Sequence, residues 1–406
     1  MKLRIAIWVA NAFGAISRIT KRGSGVMVTG RILLRLQPDA VSILSRNRKV
    51  ILISGTNGKT TTTSLIYSAL CVKNRVVSNY TGANLFAGIA AALSRELTAP
   101  LAALEVDEMV IPWAVKQSAP EMVVLLNLGR DQLDRLSEVR IVAQKWKDAL
   151  ANLPQQCRIV ADADDPFVVW SAMNWHNTIW FSSGAIGHID ASTCPSCGAV
   201  LQWSKDGASY SCRCGFAKPK AVWVLEGEEL IGPDNQKIKV ISGIPGRAAI
   251  SNAARAIAVA SYFGISIQDS SVAIAKVSSV DGRFGSLRIG DTDFRLLLSK
   301  NPASWRETLA TSASGPERVV LDVNANTQDG KDTSWLWDVD FSSLKDRYVV
   351  VTGERRLDVS ARLTVNGIEH HVVADEVVAA NLLGEVTADL IASYTAFHRL
   401  AKSVAK

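Results

Sequence analysis

The stretch VILISGTNGKTTTT, residues 50–63, joins an apolar run to a loop with two glycines and a segment rich in threonine. This order predicts a buried strand at residues 49–53, a loop at residues 55–58 and a helix that begins at Lys59. Backbone N–H groups of such a loop, and of the helix N-terminus behind it, point towards an anion. The sequence therefore predicts a phosphate-binding loop for ATP or GTP, around which the rest of the chain is organised.

The residues of this loop have distinct predicted roles. Lys59 places a positive charge beside the β- and γ-phosphates, and Thr60 offers a hydroxyl to Mg²⁺. The spacing departs from the common Walker form, because Ile53 stands five residues before Gly58 and the first glycine is Gly55. A surface turn rich in glycine and threonine is the alternative. The predicted nucleotide site comprises the loop and the first helical turn: Gly55, Thr56, Asn57, Gly58, Lys59, Thr60 and Thr61.

Length and composition indicate a folded protein with more than one domain. The 406 residues are 48% hydrophobic, and domains of about 100 to 200 residues predict two or three units. The formal net charge of +7 is compatible with nucleic acid, a phosphorylated substrate or an anionic membrane. Basic residues are dispersed and form no long run interleaved with aromatic residues, so nucleic-acid binding is not predicted. Few cysteines and no evident secretory cleavage pattern favour a cytoplasmic location.

The N-terminal segment, residues 1–45, is predicted to be helical. Its apolar stretch at residues 5–16 is too short to span a bilayer, which needs about 20 apolar residues. Two interpretations stay open: a helix packed on the nucleotide domain, and an interfacial helix that touches anionic lipid. The basic residues that flank the stretch are Lys2, Arg4, Arg18, Lys21 and Arg22.

Apolar strands predicted at residues 101–106 and 122–126 are separated by helical segments, which favours a parallel sheet covered on both faces. The first of these strands contains Glu105, and Asp107 and Glu108 follow. An acidic residue at the carboxyl end of a parallel strand near a phosphate loop is placed to hold Mg²⁺. We predict Glu105 as this ligand, with solvated loop charges as the alternative.

Four cysteines form two close pairs, CPSC and CRC: Cys194, Cys197, Cys212 and Cys214. Thiolates presented in pairs from two tight turns suit tetrahedral Zn²⁺, and four sulfur ligands leave no open position for catalysis. A structural zinc ribbon at about residues 190–220 is therefore predicted, inserted in an α/β domain. A disulfide or redox role is the alternative. Cys71 and Cys157 are expected to be buried thiols.

Two α/β domains are predicted. The ATP-binding domain spans residues 46–280, and an alanine-rich helix near its end carries Asn252. The pattern of strands restarts beyond residues 280–285 and predicts a smaller, Rossmann-like α/β domain at residues 281–406. Asn, Asp, Trp and Gly are frequent where its strands end, which is where ligands and partners bind in open α/β sheets.

Several motifs resemble the central ATPase domain of the Mur ligases: GTNGKTTT at 55–62, LEVDE at 104–108, NLGRDQLDR at 127–135, DADDP at 162–166, and Asn252. Within that family, the cysteine pairs and the later motifs resemble the MurT subunits of lipid II isoglutaminyl synthases. These later motifs are KNPASW at 300–305, DGKDTSWLWD at 329–338, TGERR at 352–356 and YTAFH at 394–398. The resemblance covers nearly the whole chain.

The resemblance implies an ATP-dependent carbon–nitrogen ligase with ATP, Mg²⁺ and Zn²⁺ as cofactors. In such enzymes ATP phosphorylates the α-carboxylate of D-glutamate in the peptidoglycan stem peptide of lipid II, and ammonia displaces the phosphate to give D-isoglutamine. By this match Lys59 binds the phosphates, Thr60 and Glu105 hold Mg²⁺, and Asn252 lies in the nucleotide site. Gln132 replaces the histidine of the DHxDR motif found in many Mur ligases, which argues against a second Mg²⁺ there. A ligase that adds an amino acid, as folylpolyglutamate synthases do, and a non-catalytic ATP-binding scaffold are the alternatives.

The resemblance also implies a partner. Ammonia is expected from a class I glutamine amidotransferase subunit in a heterodimer, whose catalytic histidine is oriented by an aspartate of this chain. The matching position is Asp332, with Asp329 and Asp338 as rivals and loop capping through Asx turns as the alternative for all three. A lipid-linked substrate implies work at the inner membrane face, with peripheral membrane contact.

Overall fold

The computed structural model describes residues 2–20, 25–79, 82–130, 139–185, 188, 190–278 and 284–404. Within them the chain separates into two compact units. The first contains the described residues of Met1–Gly129, Ser137–Gly243 and Ile250–Val277, and the second contains the others. No helix of the described residues combines the length and the hydropathy that crossing a bilayer requires.

The first unit begins with three helices, α1 (Lys2–Ile19), α2 (Val26–Leu36) and α3 (Ala40–Ser45). Its other helices are α4 (Lys59–Leu70), α5 (Phe86–Arg95), α6 (Ile111–Ser118), α7 (Val139–Leu150), α8 (Pro166–Ala172), most of α9 (Arg247–Ser261), and α10 (Ile267–Ala275). Its strands are β1 (Lys49–Ser54), β2 (Val76–Ser78), β3 (Leu101–Glu105), β4 (Met122–Leu125), β5 (Arg158–Asp162), β6 (Thr178–Ser182), β7 (Gln202–Trp203), β8 (Tyr210–Ser211), β9 (Trp223–Glu226), β10 (Glu229–Ile231) and β11 (Lys237–Lys239).

Nine of these strands form one sheet in the order β11-β10-β9-β6-β5-β4-β1-β3-β2. All neighbours from β2 to β9 run parallel, and β10 and β11 add an antiparallel edge. β1 lies between β3 and β4, so the strand order reverses beside it. The carboxyl end of β1 therefore opens into the crevice where open α/β sheets bind ligands.

Burial on both faces explains why the central strands are apolar throughout. Along β1, Val50 and Leu52 pack into one core cluster, while Ile51 and Ile53 pack into the cluster on the opposite face. Successive side chains of a strand point to opposite faces, so a sheet covered by helices on both sides needs apolar residues at every position.

The second unit is a smaller sheet with helices on both faces. Its strands are β12 (Phe284–Ile289), β13 (Thr292–Leu298), β14 (Arg318–Asp322), β15 (Tyr348–Thr352), β16 (His371–Val372) and β17 (Thr387–Ala392), in the order β12-β13-β17-β14-β15-β16. All neighbours are parallel except the hairpin of β12 and β13. Its helices are α11 (Pro302–Ala313), α12 (Arg356–Val365), α13 (Glu376–Leu383) and α14 (Tyr394–Val404).

The predicted α/β class, with parallel-rich sheets and a second α/β fold, is confirmed. Strand β17 occupies the middle of the second sheet although its run TADLIA is short and interrupted by Asp389. The prediction that Cys71 is buried is wrong, because this residue follows the last turn of α4 and is exposed; Cys157 is buried. The predicted boundary between residues 280 and 281 and the motif residue Gln132 lie outside the described residues, so the predicted domain limits stay predictions.

Candidate nucleotide site and metal centre

The loop between β1 and α4 has the backbone that its two glycines allow. Gly55 has φ of 150° and Gly58, which precedes α4, has φ of 82°. A Cβ atom on Gly55 would lie 2.7 Å from the Cβ of Leu126, and one on Gly58 would lie 3.1 Å from Oδ1 of Asn252. Any larger residue at these positions would combine an unfavourable φ with a steric conflict. The same contact places the amide of Asn252 directly beside the loop.

A second segment braces the loop. The Thr56 N–H donates to the Asn127 carbonyl at 2.8 Å, and the Asn57 N–H donates to Asn127 Oδ1 at 2.8 Å. The Asn127 amide returns a bond to the Asn57 carbonyl at 3.0 Å, and the Gly129 N–H donates to Thr56 Oγ1 at 3.0 Å. These hydrogen bonds fix the loop to the segment that follows β4, some 70 residues further along the chain. Sequence reasoning did not identify Asn127 as this brace.

Lys59 lies inside the loop rather than on the surface. Its buried ammonium group donates to the Gly55 carbonyl and to the Thr56 carbonyl at 3.3 Å, and it forms an ion pair with Glu108 Oε2 at 3.0 Å. A positive charge is thus concentrated at the N-terminus of α4, where the helix dipole also favours anions. Glu108, which the sequence placed only among loop charges, is the carboxylate that holds this lysine.

Glu105 ends β3 opposite Ile53 of β1, at the edge where the loop begins. Its side chain is only 1% exposed. Asn84 donates to Oε1 at 3.0 Å, whereas Oε2 is buried without a hydrogen-bond partner among the described residues. Asn79 fixes the backbone here, since Glu105 N–H donates to its Oδ1 at 2.7 Å. A buried, unsatisfied carboxylate oxygen is costly unless a cation binds it, so this residue fits a Mg²⁺ ligand.

Three further predicted positions lie around the loop. Thr60 and Thr61 are buried in the first turn of α4. Asn252 lies on α9, and three residues later the same helix carries Arg255, which pairs with Asp162 at 2.5 Å. This buried ion pair holds α9 at the end of β5, which explains how Asn252 is kept beside Gly58.

The motif DADDP connects the loop region to the cysteine-rich insertion. Asp164 accepts bonds from Lys218, at 2.7 Å, near the end of the insertion. Asp165 caps α8, accepts the Leu128 N–H at 2.7 Å and pairs with His188 at 3.1 Å. Burial disfavours the charged imidazole, but the nearby carboxylates, Asp165 first among them, together outweigh burial and raise the pKa of His188. The segment after β4 that braces the loop is therefore tied to the insertion through this motif.

The four cysteines of the insertion converge. Their sulfur atoms all lie within 4.8 Å of one another, with 3.7 Å between Cys194 and Cys214 and 3.5 Å between Cys197 and Cys212. A tetrahedron with Zn–S bonds of about 2.3 Å has sulfur atoms about 3.8 Å apart, whereas a disulfide requires about 2.05 Å. The Phe216 N–H and the neighbouring thiols lower the pKa of Cys214 to about 7, whereas burial raises the pKa of Cys194. The cluster can therefore hold a tetrahedral metal ion such as Zn²⁺, and the predicted cluster is confirmed.

The three aspartates of the second unit have different surroundings. Asp329 is buried and accepts bonds from the N–H of Thr395 at 2.8 Å and from its hydroxyl at 2.5 Å. Asp338 pairs with Arg130 at 3.3 Å. Asp332 is exposed and accepts the Ser334 N–H at 2.8 Å, which lowers the pKa of the carboxyl. Asp332 therefore forms an Asx turn while its carboxylate faces solvent.

The family comparison agrees with this geometry. The model of the Mur ligase middle domain matches residues 53–260, just over half of the chain. The chain belongs to the Mur ligase family. A second model, described as MurT ligase C-terminal, matches residues 298–397 of this Mur ligase. The resemblance to MurT subunits that the motifs indicated is therefore confirmed.

Relatives of this Mur ligase include two proteins named "Lipid II isoglutaminyl synthase (glutamine-hydrolyzing) subunit MurT". The one from Staphylococcus aureus (strain N315) is 29% identical over 398 residues, which cover 91% of this chain and 90% of that protein. The one from Streptococcus pneumoniae (strain ATCC BAA-255 / R6) is also 29% identical and covers 86% of this chain and 84% of that protein. Among solved structures, MurF from Acinetobacter baumannii has a TM-score of 0.67 at 16% identity, covering 92% of this chain and 80% of that chain, and shows the shared fold.

Proposed function

We propose that this Mur ligase is the ATP-dependent synthetase subunit of a two-subunit amidotransferase that acts on lipid II. An oxygen of the D-glutamate α-carboxylate attacks the γ-phosphorus of ATP, the bond to the bridging oxygen breaks, and ADP leaves. Ammonia then adds to the acyl carbon and loses a proton, and inorganic phosphate departs with its electron pair. The product is the amide, D-isoglutamine. The named relatives and the MurT-type second domain support this assignment.

One observation carries the ligase half of the proposal: a carboxylate oxygen of Glu105 that no described residue hydrogen-bonds, beside a braced phosphate loop that contains a buried lysine. Loop N–H groups and the N-terminus of α4 cradle the phosphates, and Lys59 exchanges Glu108 for the β- and γ-phosphates. Asn252 lies beside Gly58 and would therefore border a bound nucleotide. Thr60 and Glu105 would hold Mg²⁺, which neutralises developing phosphate charge when bound.

The second unit is proposed to contact a class I glutaminase that supplies ammonia. Asp332 is the candidate to orient the catalytic histidine of that partner, because its carboxylate is exposed, whereas Asp329 is bonded internally to Thr395 and Asp338 is paired with Arg130. A lowered pKa keeps Asp332 ionised, as the orienting member of such a triad must be.

The deciding experiment incubates lipid II with this protein, ATP, Mg²⁺ and ammonium, and follows the stem peptide by mass spectrometry. With ammonium, this protein alone is expected to convert the acid to the amide. Glutamine should replace ammonium as the nitrogen source only when a co-expressed glutaminase is added. Incorporation of an amino acid instead of ammonia would replace this function with that of an ordinary amino-acid ligase. Absence of both products, with ATP still bound, would favour the non-catalytic scaffold.

We propose that the four-cysteine cluster holds one structural Zn²⁺. Cys197→Ser should remove the metal and lower Tm by more than about 5 °C, because loss of a structural metal is among the large single-residue effects. Cys71→Ser is the matched control, since Cys71 is an exposed thiol outside the cluster. Zinc content by atomic spectroscopy and thermal unfolding measure both effects. Full zinc content in Cys197→Ser would contradict the assigned ligand set.

A further inference from the structure

Helix α1 has two apolar faces, and only one of them is packed. Residues on the inner face are buried: Ala6, Ile7, Ala10, Gly14 and Ser17. The outer face exposes large apolar side chains: Ile5, Trp8, Phe13, Ile16 and Ile19. At 3.6 residues per turn these five form one stripe about 140° wide, roughly opposite the inner face. Trp8 and Ile19 are 72% and 80% exposed, so these side chains face solvent and do not belong to the edge of the hydrophobic core.

The inner face is seated too closely for the helix to turn its outer face inward. A Cβ on Gly14 would lie 2.1 Å from Thr29 Oγ1, and a Cβ on Gly25 would lie 2.3 Å from the Gly14 carbonyl. Helix α2 is seated on α5 in the same way, since a Cβ on Gly30 would lie 1.7 Å from the Ala87 carbonyl. Rotation of α1 would exchange this close backbone packing for bulky side chains. The stripe is therefore held outward by the fold.

Charge indicates what covers the stripe. Residues 1–38 contain seven Lys and Arg and no Asp or Glu, while the rest of the chain contains 38 of each sign. The whole formal excess of positive charge thus belongs to the segment that carries the stripe. Lys2, Arg4 and Arg18 of α1, and Arg31 and Arg35 of α2, are exposed. A second copy of this segment would repel the first, whereas an anionic lipid surface is complementary in both charge and apolarity.

We propose that the outer face of α1 docks on an anionic bilayer, with the helix parallel to the membrane plane and its apolar stripe in the interfacial layer. Tryptophan and isoleucine on one face, with basic residues beside them, are the composition of interfacial helices. Lipid binding by this face does not require the amidation reaction. The benefit of lipid binding to the enzyme rests on the proposed function. An enzyme bound to the membrane surface would search for its lipid-linked substrate within the plane of that membrane.

Flotation of the full-length protein with vesicles tests the docking surface. Vesicles of phosphatidylglycerol and phosphatidylcholine in equal parts, without lipid II, should carry the protein, and pure phosphatidylcholine vesicles should carry much less. Added salt should weaken binding, because screening acts on the basic flank. The double variant Trp8→Gln, Ile19→Gln should bind at least about tenfold more weakly, since it removes the two most exposed apolar side chains of the interfacial face.

The matched control is Trp337→Gln, Val365→Gln, which removes an exposed tryptophan and an exposed aliphatic residue from the second unit. This control should float as the parent protein does. Both variants should keep the parent Tm, because the altered side chains are exposed. Undiminished flotation of the α1 variant, or no flotation of the parent protein, would overturn the docking surface. A parent dimer that the α1 variant converts to monomer would instead assign the stripe to a second copy.

Amidation of detergent-solubilised lipid II separates this inference from the proposed function. Failure of amidation with normal flotation would remove the proposed reaction but leave the docking surface. Normal amidation without flotation would remove the docking surface but leave the proposed reaction.

Discussion

The carboxyl edges of the two sheets are built alike but are chemically different. At the first edge, buried Glu105 has an oxygen without a hydrogen-bond partner in the part of the chain that the structure describes, and the nearby lysine is held by a different carboxylate, Glu108. At the second edge, buried Asp322 is paired with Arg399 at 3.2 Å, and Glu376 contacts the same guanidinium group. Asp322 Oδ1 is also buried without a hydrogen-bond partner among the described residues, so the two edges differ in that Asp322, unlike Glu105, is paired with a cation of its own chain there.

Under the proposed function, this difference fits two tasks for one architecture. A site that must receive Mg²⁺ and phosphates keeps buried polar atoms available, and it accepts the cost of leaving them unsatisfied. An edge whose buried acids are paired with an arginine of the same chain can present other groups outward. At the second edge the group presented is Asp332.

The largest expected effect is at the outward-facing group. Asp332→Asn should lower glutamine-driven amidation by about 10³- to 10⁴-fold, as loss of the orienting carboxylate does in other triads. Amidation driven by ammonium should continue. Asp340→Asn is the matched control, because Asp340 also accepts the N–H of a serine two residues on, at 2.9 Å. Equal loss in both variants would mean that Asp332 only caps its loop.

Lys59→Ala should lower amidation from either nitrogen source by about 10²- to 10³-fold, because it removes a charge that stabilises the transferring phosphoryl group. The measurement is kcat with saturating ammonium. Lys73→Ala, three residues beyond the end of the same helix, should keep the parent rate, because among the described residues its ammonium group donates only to the Gly264 carbonyl, at 3.4 Å. Retained activity in Lys59→Ala would argue against the phosphate role of the loop.

Asn84→Ala should weaken Mg²⁺ binding by about 10- to 100-fold, the usual cost of removing a group that orients a metal ligand. Asn84 donates to Oε1 of Glu105 and leaves Oε2 available. Mg²⁺ titration of the ammonium-driven rate measures the change. Asn74→Ala, which removes only a bond to the carbonyl of Leu70, is the control. An unchanged Mg²⁺ dependence in Asn84→Ala would argue that Glu105 is not a Mg²⁺ ligand.

The smallest expected effect concerns pH and the second edge. Burial, reinforced by Glu376, raises the pKa of Asp322 from 3.8 to about 8. The folded state therefore holds a proton that the unfolded state releases, so this residue lowers stability as pH rises from about 4 to 8. Asp322→Asn should reduce that decline in urea unfolding but not abolish it, because burial also raises the pKa of Asp162, to about 7. Asp293→Asn, an exposed aspartate, should leave it unchanged. If Asp322→Asn loses as much stability between about pH 4 and pH 8 as the parent protein does, the loss comes from other groups.

Local sequence predicted the elements whose geometry is local. The strand, loop and helix of the phosphate site lie within residues 49–70, and each cysteine pair lies within one tight turn, so spacing alone indicated both. The contacts that complete the site are long-range. Asn127 reaches Asn57 across 70 residues, and Glu108 reaches Lys59 across 49. No pattern within a short window indicates such pairs.

The sequence by itself determined the α/β class, the phosphate loop, the cysteine pairs and the Mur ligase resemblance, because each depends on the order of residues along one or two neighbouring elements. Only the tertiary structure decided that Glu105 keeps an open oxygen while Glu108 holds Lys59, and that DADDP ties the cysteine insertion to the loop's brace. It also decided that one apolar face of α1 stays exposed. Those properties depend on which elements become neighbours, since burial and pairing are set by side chains that meet only when the sheet is assembled.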